Sequence, residues 1–319
     1  MILVTGGTGL VGAHLLQQLV AKGEKVRALI RETKTHLSSE LADKIEWVEG
    51  DVTDILSLEK AMLGVGQVYH CAAIVSFNAS ERERLMNINV NGTANVVSLA
   101  LDMGVEKLVH VSSIAALGKI NNGDLINENT AWNSEHTNSQ YAVSKYLSEQ
   151  EVWRGIAEGL NAVIINPSLI LGVGEWGRGS LTIFSMARKG MRFYTKGSTG
   201  MVSANDVARA MVVLMESNIS AERYIVSAEN WTYKKLFDCI ADNLNKKRPN
   251  IAITNSMIEV IWRMAWLIRK TTGLMKNISK DGLRSSNLNR AYDNSKLIGA
   301  FGFEYSSLEK SIKEICEKL

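Results

Sequence analysis

The sequence predicts an α/β fold, with a doubly wound parallel sheet followed by a smaller C-terminal lobe. First, short apolar runs typical of buried strands alternate with longer helical stretches through the first half of the chain. Second, a glycine-rich turn joins the first run, residues 2–5, to the first helical stretch, residues 10–22. Right-handed crossovers would assemble these strands into one sheet with helices on both faces.

The remaining elements of this half follow from the same alternation. Gly23, Gly104 and Gly159 each stand just after a helical stretch, where a glycine favours the C-terminal cap. We predict further strands at 25–30, 45–49, 67–73, 107–112 and 162–166, and further helices at 53–63, 83–103 and 140–158.

Three glycines, Gly6, Gly9 and Gly12, stand where the first strand must turn into the first helix. Gly6 would allow the tight turn, Gly9 would let the backbone approach a phosphate, and Gly12 would let the helix pack closely on the strand. Backbone N–H groups and the positive helix end would then converge on one point, which suits a dinucleotide pyrophosphate. The residues assigned to this turn are Gly6, Thr8, Gly9, Leu10, Val11 and Gly12.

The alternation weakens after Pro167, where glycines cluster and polar loops separate helical stretches. We therefore predict a dinucleotide-binding domain over 1–167 and a substrate-binding lobe over 168–319, with one short strand at 223–226. The lobe would lie over the carboxyl ends of the strands, where open α/β sheets place ligands. Some of its segments could return to the sheet.

Composition narrows the class of protein. The 36 Lys and Arg residues against 33 Asp and Glu residues give a net charge of only +3, which argues against nucleic acid as a partner. The cysteines Cys71, Cys239 and Cys316 lack metal-ligand spacing, so we expect free thiols and no metal. Because a strand is predicted to begin at residue 2, we expect no signal or transit peptide. No apolar stretch approaches the roughly 20 residues of a membrane helix. We expect a cytoplasmic protein.

Tyr141 and Lys145 form a candidate acid–base pair. A separation of four residues places both side chains on one face of the helix predicted to begin near residue 140. The pKa of a free tyrosine is about 10, and a nearby lysine cation lowers it by favouring the phenolate. The alternative is an ordinary pair of side chains on a helix surface.

Ser113 ends the strand predicted at 107–112, at the same edge of the sheet as the glycine turn. Its hydroxyl could bind a substrate oxygen beside the Tyr141 hydroxyl. Ser112 takes this place if the register is off by one, and a turn-forming role is the alternative for both.

Together these motifs resemble the extended (atypical) short-chain dehydrogenase/reductase family of the NAD-dependent epimerase/dehydratase superfamily. The resemblance is strongest to its dihydroflavonol-reductase and hydroxysteroid-dehydrogenase-like branch. It covers essentially the whole chain and implies a Rossmann-type fold. The segments that carry the resemblance are 5–12, 50–52, 70–73, 89–93, 111–113, 141–145, 166–168 and 206–208.

The resemblance implies roles for the catalytic candidates. Tyr141 would be the acid–base residue, Lys145 would hold the nicotinamide ribose and lower the tyrosine pKa, and Ser113 would orient the substrate carbonyl. Asn89 is a weaker candidate, whose alternative role is to satisfy the backbone inside a long helix. The resemblance also implies a possible homodimer formed through the helices at 83–103 and 140–158.

The resemblance places the rest of the cofactor as well. Asp51 and Val52 would face the adenine. Ala72 and Ala73 would line the path of the dinucleotide, and Pro167 and Ser168 would flank the nicotinamide.

Arg31 stands at the end of the second strand, where an NAD-binding site usually has an acidic residue for the ribose 2′-hydroxyl. Arginine instead suits a 2′-phosphate through charge-assisted hydrogen bonds. Glu32 follows directly, so a register shift of one residue would favour NAD. We expect NADP as the preferred cofactor, with NAD as the open alternative.

Three functions compete. The first is an NAD(P)-dependent oxidoreductase that reduces a ketone or aldehyde, or oxidises the alcohol, with Tyr141 as acid–base. The second is a nucleotide-sugar epimerase or dehydratase that retains NAD, and the third is a non-catalytic dinucleotide sensor. The intact Tyr141 and Lys145 pair disfavours the sensor. The stretch 198–206 lacks the basic residue that sugar-nucleotide enzymes of this family often carry.

The predicted lobe is apolar, which favours a small hydrophobic substrate. Residues 257–268 read as an almost wholly apolar helix with Trp262 and Trp266; it would be buried or, with its basic flank, contact a membrane surface or a second subunit. The glycine-rich stretch 172–179 could close over the substrate through Trp176 and Arg178. His70, His110 and His136 we interpret as packed or edge residues.

Overall fold

A computed structural model describes residues 1–31, 37–118, 125–133, 138–175, 179–254, 256–258, 262–263 and 280–319. The described strands are β1 (Ile2–Thr5), β2 (Val26–Ile30), β3 (Glu46–Glu49), β4 (Gln67–His70), β5 (Lys107–Val111), β6 (Leu125–Ile126), β7 (Ala162–Pro167), β8 (Leu169–Leu171), β9 (Phe193–Tyr194), β10 (Ser198–Ser203), β11 (Glu222–Val226), β12 (Glu229–Thr232), β13 (Ile251–Ala252) and β14 (Ala291–Tyr292).

The described helices are α1 (Leu10–Ala21), α2 (Ser39–Ala42), α3 (Ile55–Met62), α4 (Arg82–Leu85), α5 (Gly92–Asp102), α6 (Gln140–Ala157), α7 (Leu181–Arg188), α8 (Ala204–Glu216), α9 (Tyr233–Asn243), α10 (Lys280–Ser285), α11 (Ser295–Phe301) and α12 (Leu308–Glu317). None of the described helices has both the length and the apolar character needed to cross a membrane.

The central sheet has seven strands in the order β11-β7-β5-β4-β1-β2-β3, and every neighbouring pair is parallel. The predicted doubly wound sheet is therefore confirmed. Observed boundaries differ by at most one residue for the strands predicted at 2–5, 25–30, 45–49, 107–112 and 162–166. The strand predicted at 67–73 ends at His70, so Ala72 and Ala73 lie in the loop that follows.

Helices cover both faces of this sheet. On one face, Leu16 of α1 and Met211 of α8 pack on Val4 and its neighbours in a fully buried cluster. On the other, α3, α5 and α6 contribute residues such as Leu58 and Val97 to a second cluster. Burial on both faces explains the apolar runs of β1 and β7.

The strand predicted at 223–226 is a segment of the predicted lobe that returns to the central sheet. It is β11, and it pairs in parallel with β7 as the seventh strand of the central sheet, with Val226 opposite Pro167. Two buried side chains explain this, because Tyr224 packs in the cluster of Val4 and Ile225 packs in a separate apolar cluster with Ile126. The domain boundary at 167/168 stays a prediction.

The lobe is built from short strands that the sequence analysis did not predict. β10 pairs in parallel with β8 and antiparallel with β12, while β9 pairs with β13 and β6 with β14. Beneath them α7, α9 and α12 enclose a third apolar cluster around Phe184 and Leu236.

The helix predicted at 83–103 is interrupted. Between α4 and α5, residues Met86–Asn91 form a π-helical turn. Such turns insert an extra residue and re-aim side chains, often at functional sites. Here the turn contains Asn89, which is buried.

Candidate active site

The glycine turn between β1 and α1 has the predicted geometry. Gly6 has φ +70°, and a Cβ added there would lie 2.6 Å from the backbone N of Ala72. A Cβ at Gly12 would lie 2.3 Å from the carbonyl oxygen of Gly6. A Cβ at Gly9 would meet only that oxygen, at 3.2 Å, because the position otherwise faces open space. The fold therefore requires glycine at positions 6 and 12 but not at position 9.

The N-terminus of α1 fits an anionic group. No described side chain caps this helix end, and its first turn carries no acidic residue. The first N–H groups of a helix lack intrahelical acceptors, and the helix dipole favours negative charge beside them. With Gly9 open to the same space, the cradle suits the phosphates of a dinucleotide.

A cleft of 2010 Å³ extends from this turn along the carboxyl ends of the strands and into the lobe. Pockets for ordinary small ligands occupy about 300–1,000 Å³, so the cleft has room for a dinucleotide together with a substrate. It is lined by the residues predicted for cofactor binding together with Ser113, Tyr141 and Lys145. They are Gly6, Thr8, Gly9, Leu10, Val11, Gly12, Arg31, Asp51, Val52, Ala72, Ala73, Ser113, Tyr141, Lys145, Pro167 and Ser168.

Tyr141 and Lys145 lie one turn apart near the start of α6, which Ser139 caps by accepting from the N–H of Ala142. The Ser113 side chain is near enough to the Tyr141 phenol to influence its pKa, so Ser113 rather than Ser112 lies beside the phenol. The Lys145 ammonium donates to the carbonyl of Val111 at 2.8 Å, at the end of β5. The three polar groups thus meet where β5 and α6 adjoin.

The titration behaviour of this group differs in one respect from the prediction. Burial raises the pKa of Tyr141, and the Ser113 side chain opposes that rise. The predicted lowering by Lys145 is not seen, because its ammonium is directed at the Val111 carbonyl. Burial lowers the pKa of Lys145 to about 8, although the buried Glu149 carboxylate one turn further along α6 favours the charged form.

Asn89 joins three segments around the site. Its side-chain oxygen accepts from the N–H of Ile74 at 2.8 Å, and its amide donates to the Ile74 carbonyl at 3.0 Å and the Ser144 hydroxyl at 3.0 Å. Ser144 in turn donates to the Tyr141 carbonyl at 2.8 Å. The alternative predicted role, satisfying the backbone of its own helix, is therefore wrong. Asn89 instead hydrogen-bonds both backbone groups of Ile74 in the loop after β4, and it contacts α6 through Ser144.

Phe77, in the loop after β4, is a site residue that the sequence analysis missed. Its ring meets the Tyr141 ring edge to face, with centroids 5.7 Å apart, although 43% of the residue is exposed. No periodicity marks this loop, so no signal in the sequence singled out Phe77.

Two of the three histidines are packed in the sheet, as predicted. The His70 ring in β4 lies between the hydroxyls of Thr5 and Thr93, at 2.7 and 3.0 Å, and burial lowers its pKa to about 3. His110 in β5 is buried with its ring centroid 5.1 Å from that of His70. His136 lies outside the described residues.

The adenosine end of the cleft contains Arg31 and Asp51. Arg31 is exposed directly after β2 and lines the cleft, whereas Glu32 lies outside the described residues. The Asp51 carboxylate accepts from the backbone N–H and hydroxyl of Thr53, at 2.9 and 2.8 Å, so it fixes its own turn. The three cysteines are free thiols, and no cluster of potential metal ligands occurs among the described residues.

Two predicted features of the lobe fall largely outside the described residues. Residues 172–175 of the glycine-rich stretch line the cleft, but Trp176 and Arg178 are not described. Of the apolar stretch 257–268, helical backbone is described at 257–258 and 262–263, and Ile258 is buried. Trp266 lies outside the described part.

Comparison with known proteins places the chain in a family. The model of the NAD dependent epimerase/dehydratase family matches residues 2–227. The chain belongs to this family. The sequence-based resemblance is thereby confirmed, and the protein is an NAD(P)-dependent enzyme of the extended short-chain dehydrogenase/reductase type.

Two curated relatives illustrate its neighbourhood. The chain is 34% identical over 262 residues to sterol demethylase protein B of Methylococcus capsulatus, covering 81% of this chain and 79% of that protein. It is 29% identical over 326 residues to a putative dihydroflavonol 4-reductase of Synechocystis, covering 98% and 92%.

Solved structures agree with the fold. The crystal structure of gox2253 is similar at a TM-score of 0.85 and 28% identity, with 99% of this chain and 97% of that chain covered. UDP-glucose 4-epimerase of Thermus thermophilus, solved in complex with NAD, has a TM-score of 0.77 at 20% identity over the same shares of the two chains, a likeness of fold alone.

Proposed function

We propose that the enzyme reduces a ketone or aldehyde of a small, hydrophobic substrate by hydride transfer from NADPH, or oxidises the corresponding alcohol. The observation that carries this proposal is the group formed by Tyr141, Ser113 and Lys145. Their polar atoms lie together in a cleft that also contains an open phosphate cradle. A hydride acceptor and a proton donor can be brought together at such a point.

The nicotinamide, when bound beside Pro167 and Ser168, supplies the hydride. Ser113 then orients the substrate oxygen by donating a hydrogen bond, and Tyr141 gives its proton to the forming alkoxide. Because burial raises the pKa of Tyr141, the phenol is protonated at neutral pH, as proton donation requires. Lys145 holds its ammonium against Val111, where it can also meet the nicotinamide ribose.

The preference for a hydrophobic substrate is supported by the loop after β4. Val75 and Phe77 line the cleft with 59% and 43% of their surfaces exposed. Large apolar side chains left exposed together often mark a binding surface. Phe77 also contacts the ring of Tyr141, so an apolar substrate resting on Phe77 would have its carbonyl near the phenol.

The preference for NADP is supported by Arg31. Its guanidinium is exposed at the adenosine end of the cleft, where it can pair with a 2′-phosphate. With NAD, the same side chain would face an uncharged hydroxyl.

The test mixes purified enzyme with NADPH and a panel of aromatic and alicyclic ketones, and follows the absorbance of the reduced nicotinamide. We expect oxidation of NADPH that depends on both ketone and enzyme. NAD that survives purification, with no net turnover of added cofactor, would instead indicate an epimerase or dehydratase. Dinucleotide binding without either behaviour would indicate a sensor.

A further inference from the structure

Arg290 brings a positive charge into the lobe side of the cleft. It immediately precedes the short strand β14, is half-buried, and lines the cleft. Because side chains alternate along extended backbone, Arg290 and Tyr292 lie on one face. The Arg290 guanidinium donates to the Ser285 hydroxyl at 3.2 Å and is near enough to the Tyr292 phenol to influence its pKa.

The backbone that carries Arg290 is fixed on both sides. The N–H of Arg290 donates to the Ser198 carbonyl at 3.1 Å, and the Ser198 hydroxyl donates to the Arg290 carbonyl at 3.2 Å. The Asn230 side chain bonds both backbone groups of Tyr292, at 2.9 and 3.0 Å. The guanidinium therefore projects from a rigid strand.

Tyr292 connects this strand to the proposed reaction centre. It shares a buried apolar cluster with Leu117 and Ile126, against which Ile114, the residue after Ser113, also packs. Its ring lies 3.1 Å from the position that a Cβ on Gly200 would take, and the Cβ of Ser168 lies 3.0 Å from the same position. Tyr292 thus contacts the region between Ser113 and the proposed nicotinamide site.

The charge of Arg290 lacks an anionic partner among the described residues. The neighbouring carboxylates have other contacts: Asp293 accepts from the N–H of Ser295 at 2.9 Å, and Glu229 accepts from the Trp231 indole at 2.8 Å. A half-buried cation is stabilised when a counter-charge replaces the water that it has lost.

Tyr233 adds a further hydrogen-bond donor to this part of the cleft. It lines the cleft close enough to Arg290 for the guanidinium to influence its titration. Burial raises the pKa of Tyr233 to about 12, so its phenol keeps its proton at neutral pH. We call Arg290, Ser285, Tyr233 and Tyr292 the arginine corner.

We propose that the arginine corner binds a carboxylate of the substrate, which makes the substrate a hydrophobic keto acid or the corresponding hydroxy acid. This inference rests on the proposed function. A guanidinium fork binds a carboxylate with two parallel hydrogen bonds, and one positive charge balances a monoanion. The apolar body of the substrate would lie along Phe77 and Leu117.

The kinetic test compares 3-benzoylpropanoate with its methyl ester as NADPH-dependent substrates. We expect kcat/KM to be about 10- to 100-fold higher for the acid, the range of hydrogen bonds to a charged group. Arg290→Met should remove this preference by lowering kcat/KM for the acid alone, while Arg290→Lys should keep part of it. Arg248→Met, at a surface arginine paired with Asp242 and 61% exposed, is the matched control.

Equal kcat/KM values for acid and ester in the wild type would overturn the proposal. So would an Arg290→Met variant that keeps its melting temperature and NADPH affinity but loses activity equally towards both substrates. Melting temperature and NADPH affinity of each variant identify a general structural defect directly.

A binding arm separates this proposal from the proposed function, because it needs no turnover. Calorimetry measures the affinity of 3-benzoylpropanoate and of phenyl phosphate for NADPH-saturated Tyr141→Phe protein, with and without Arg290→Met. Loss of carboxylate binding with Arg290→Met supports the corner even if no ketone is reduced. Unchanged binding refutes the corner, and tighter binding of phenyl phosphate than of the acid refutes the carboxylate assignment.

Discussion

A matched pair of glycine substitutions separates the two tasks of the turn between β1 and α1. In Gly12→Ala the added methyl group lies 2.3 Å from the Gly6 carbonyl oxygen and 2.8 Å from the Gly7 Cα, both backbone atoms. Backbone cannot yield as a flexible side chain can, so α1 must move away from β1. Forced overpacking of this kind costs about 1–3 kcal/mol, and we expect a fall in melting temperature even without cofactor.

Gly9→Ala should instead weaken NADPH binding while changing the stability of the protein little. Its methyl group meets one protein atom within 4 Å, the Gly6 oxygen at 3.2 Å, and its φ of −77° is one that alanine adopts. The loss of a favourable N-cap residue costs up to about 1 kcal/mol. The methyl group does, however, occupy the space through which a phosphate would reach the helix N-terminus. Loss of one such charged hydrogen bond weakens NADPH binding about 10- to 100-fold.

The assay combines calorimetric unfolding of the cofactor-free protein with titration of NADPH against intrinsic fluorescence. Gly299→Ala is the control, since no heavy atom lies within 4 Å of its added methyl group and the position is inside α11. It should stabilise the protein by about 0.5–1 kcal/mol without changing the NADPH affinity. Unaltered NADPH binding by Gly9→Ala would refute the assignment of the phosphates to this turn.

Three further predictions concern the polar groups of the cleft. Tyr141→Phe keeps the ring contact with Phe77 but removes the proton donor, so turnover should fall about 10²- to 10⁴-fold while NADPH affinity is unchanged; a variant that retains turnover would show that another group supplies the proton. Arg31→Ala should raise the KM for NADPH far more than that for NADH, and equal increases would contradict the assignment of the 2′-phosphate. Since burial lowers the pKa of Lys145 to about 8, its ammonium loses the proton as pH rises from about 7 to 9. NADPH affinity should therefore weaken over that window in the wild type and stay level in Lys145→Met, as binding titrations at each pH would show.

The parts of the fold that sequence reasoning predicted are those whose signals are local. The strand β7 reads as an uninterrupted apolar run because Val163, Ile164 and Ile165 are all buried. Glycines mark the turn after β1 because two of them have no room for a side chain. The helical spacing of Tyr141 and Lys145 likewise depends only on α6 itself.

The parts that were missed depend on contacts between distant segments. The strands β6 and β14 have two residues each and exist because Ile126 and Tyr292 pair across the lobe. Nothing in the local sequence around Asn89 indicates an extra residue in the helical turn, so its contacts with Ile74 and Ser144 became visible only in three dimensions. Arg290 was missed for the same reason: its setting comes from residues far away in the chain.

The return of β11 to the central sheet has a mechanical consequence. The polypeptide leaves the sheet after β7, builds β8 to β10 and α8, and then comes back to lie beside the strand that it left. The segment that carries β8 to β10 is thus connected at both ends to adjacent strands of the central sheet, rather than through a single linker. An opening of the cleft that moves this segment must therefore bend its connections to β7 and β11 together. This favours a small hinge motion over a free rotation.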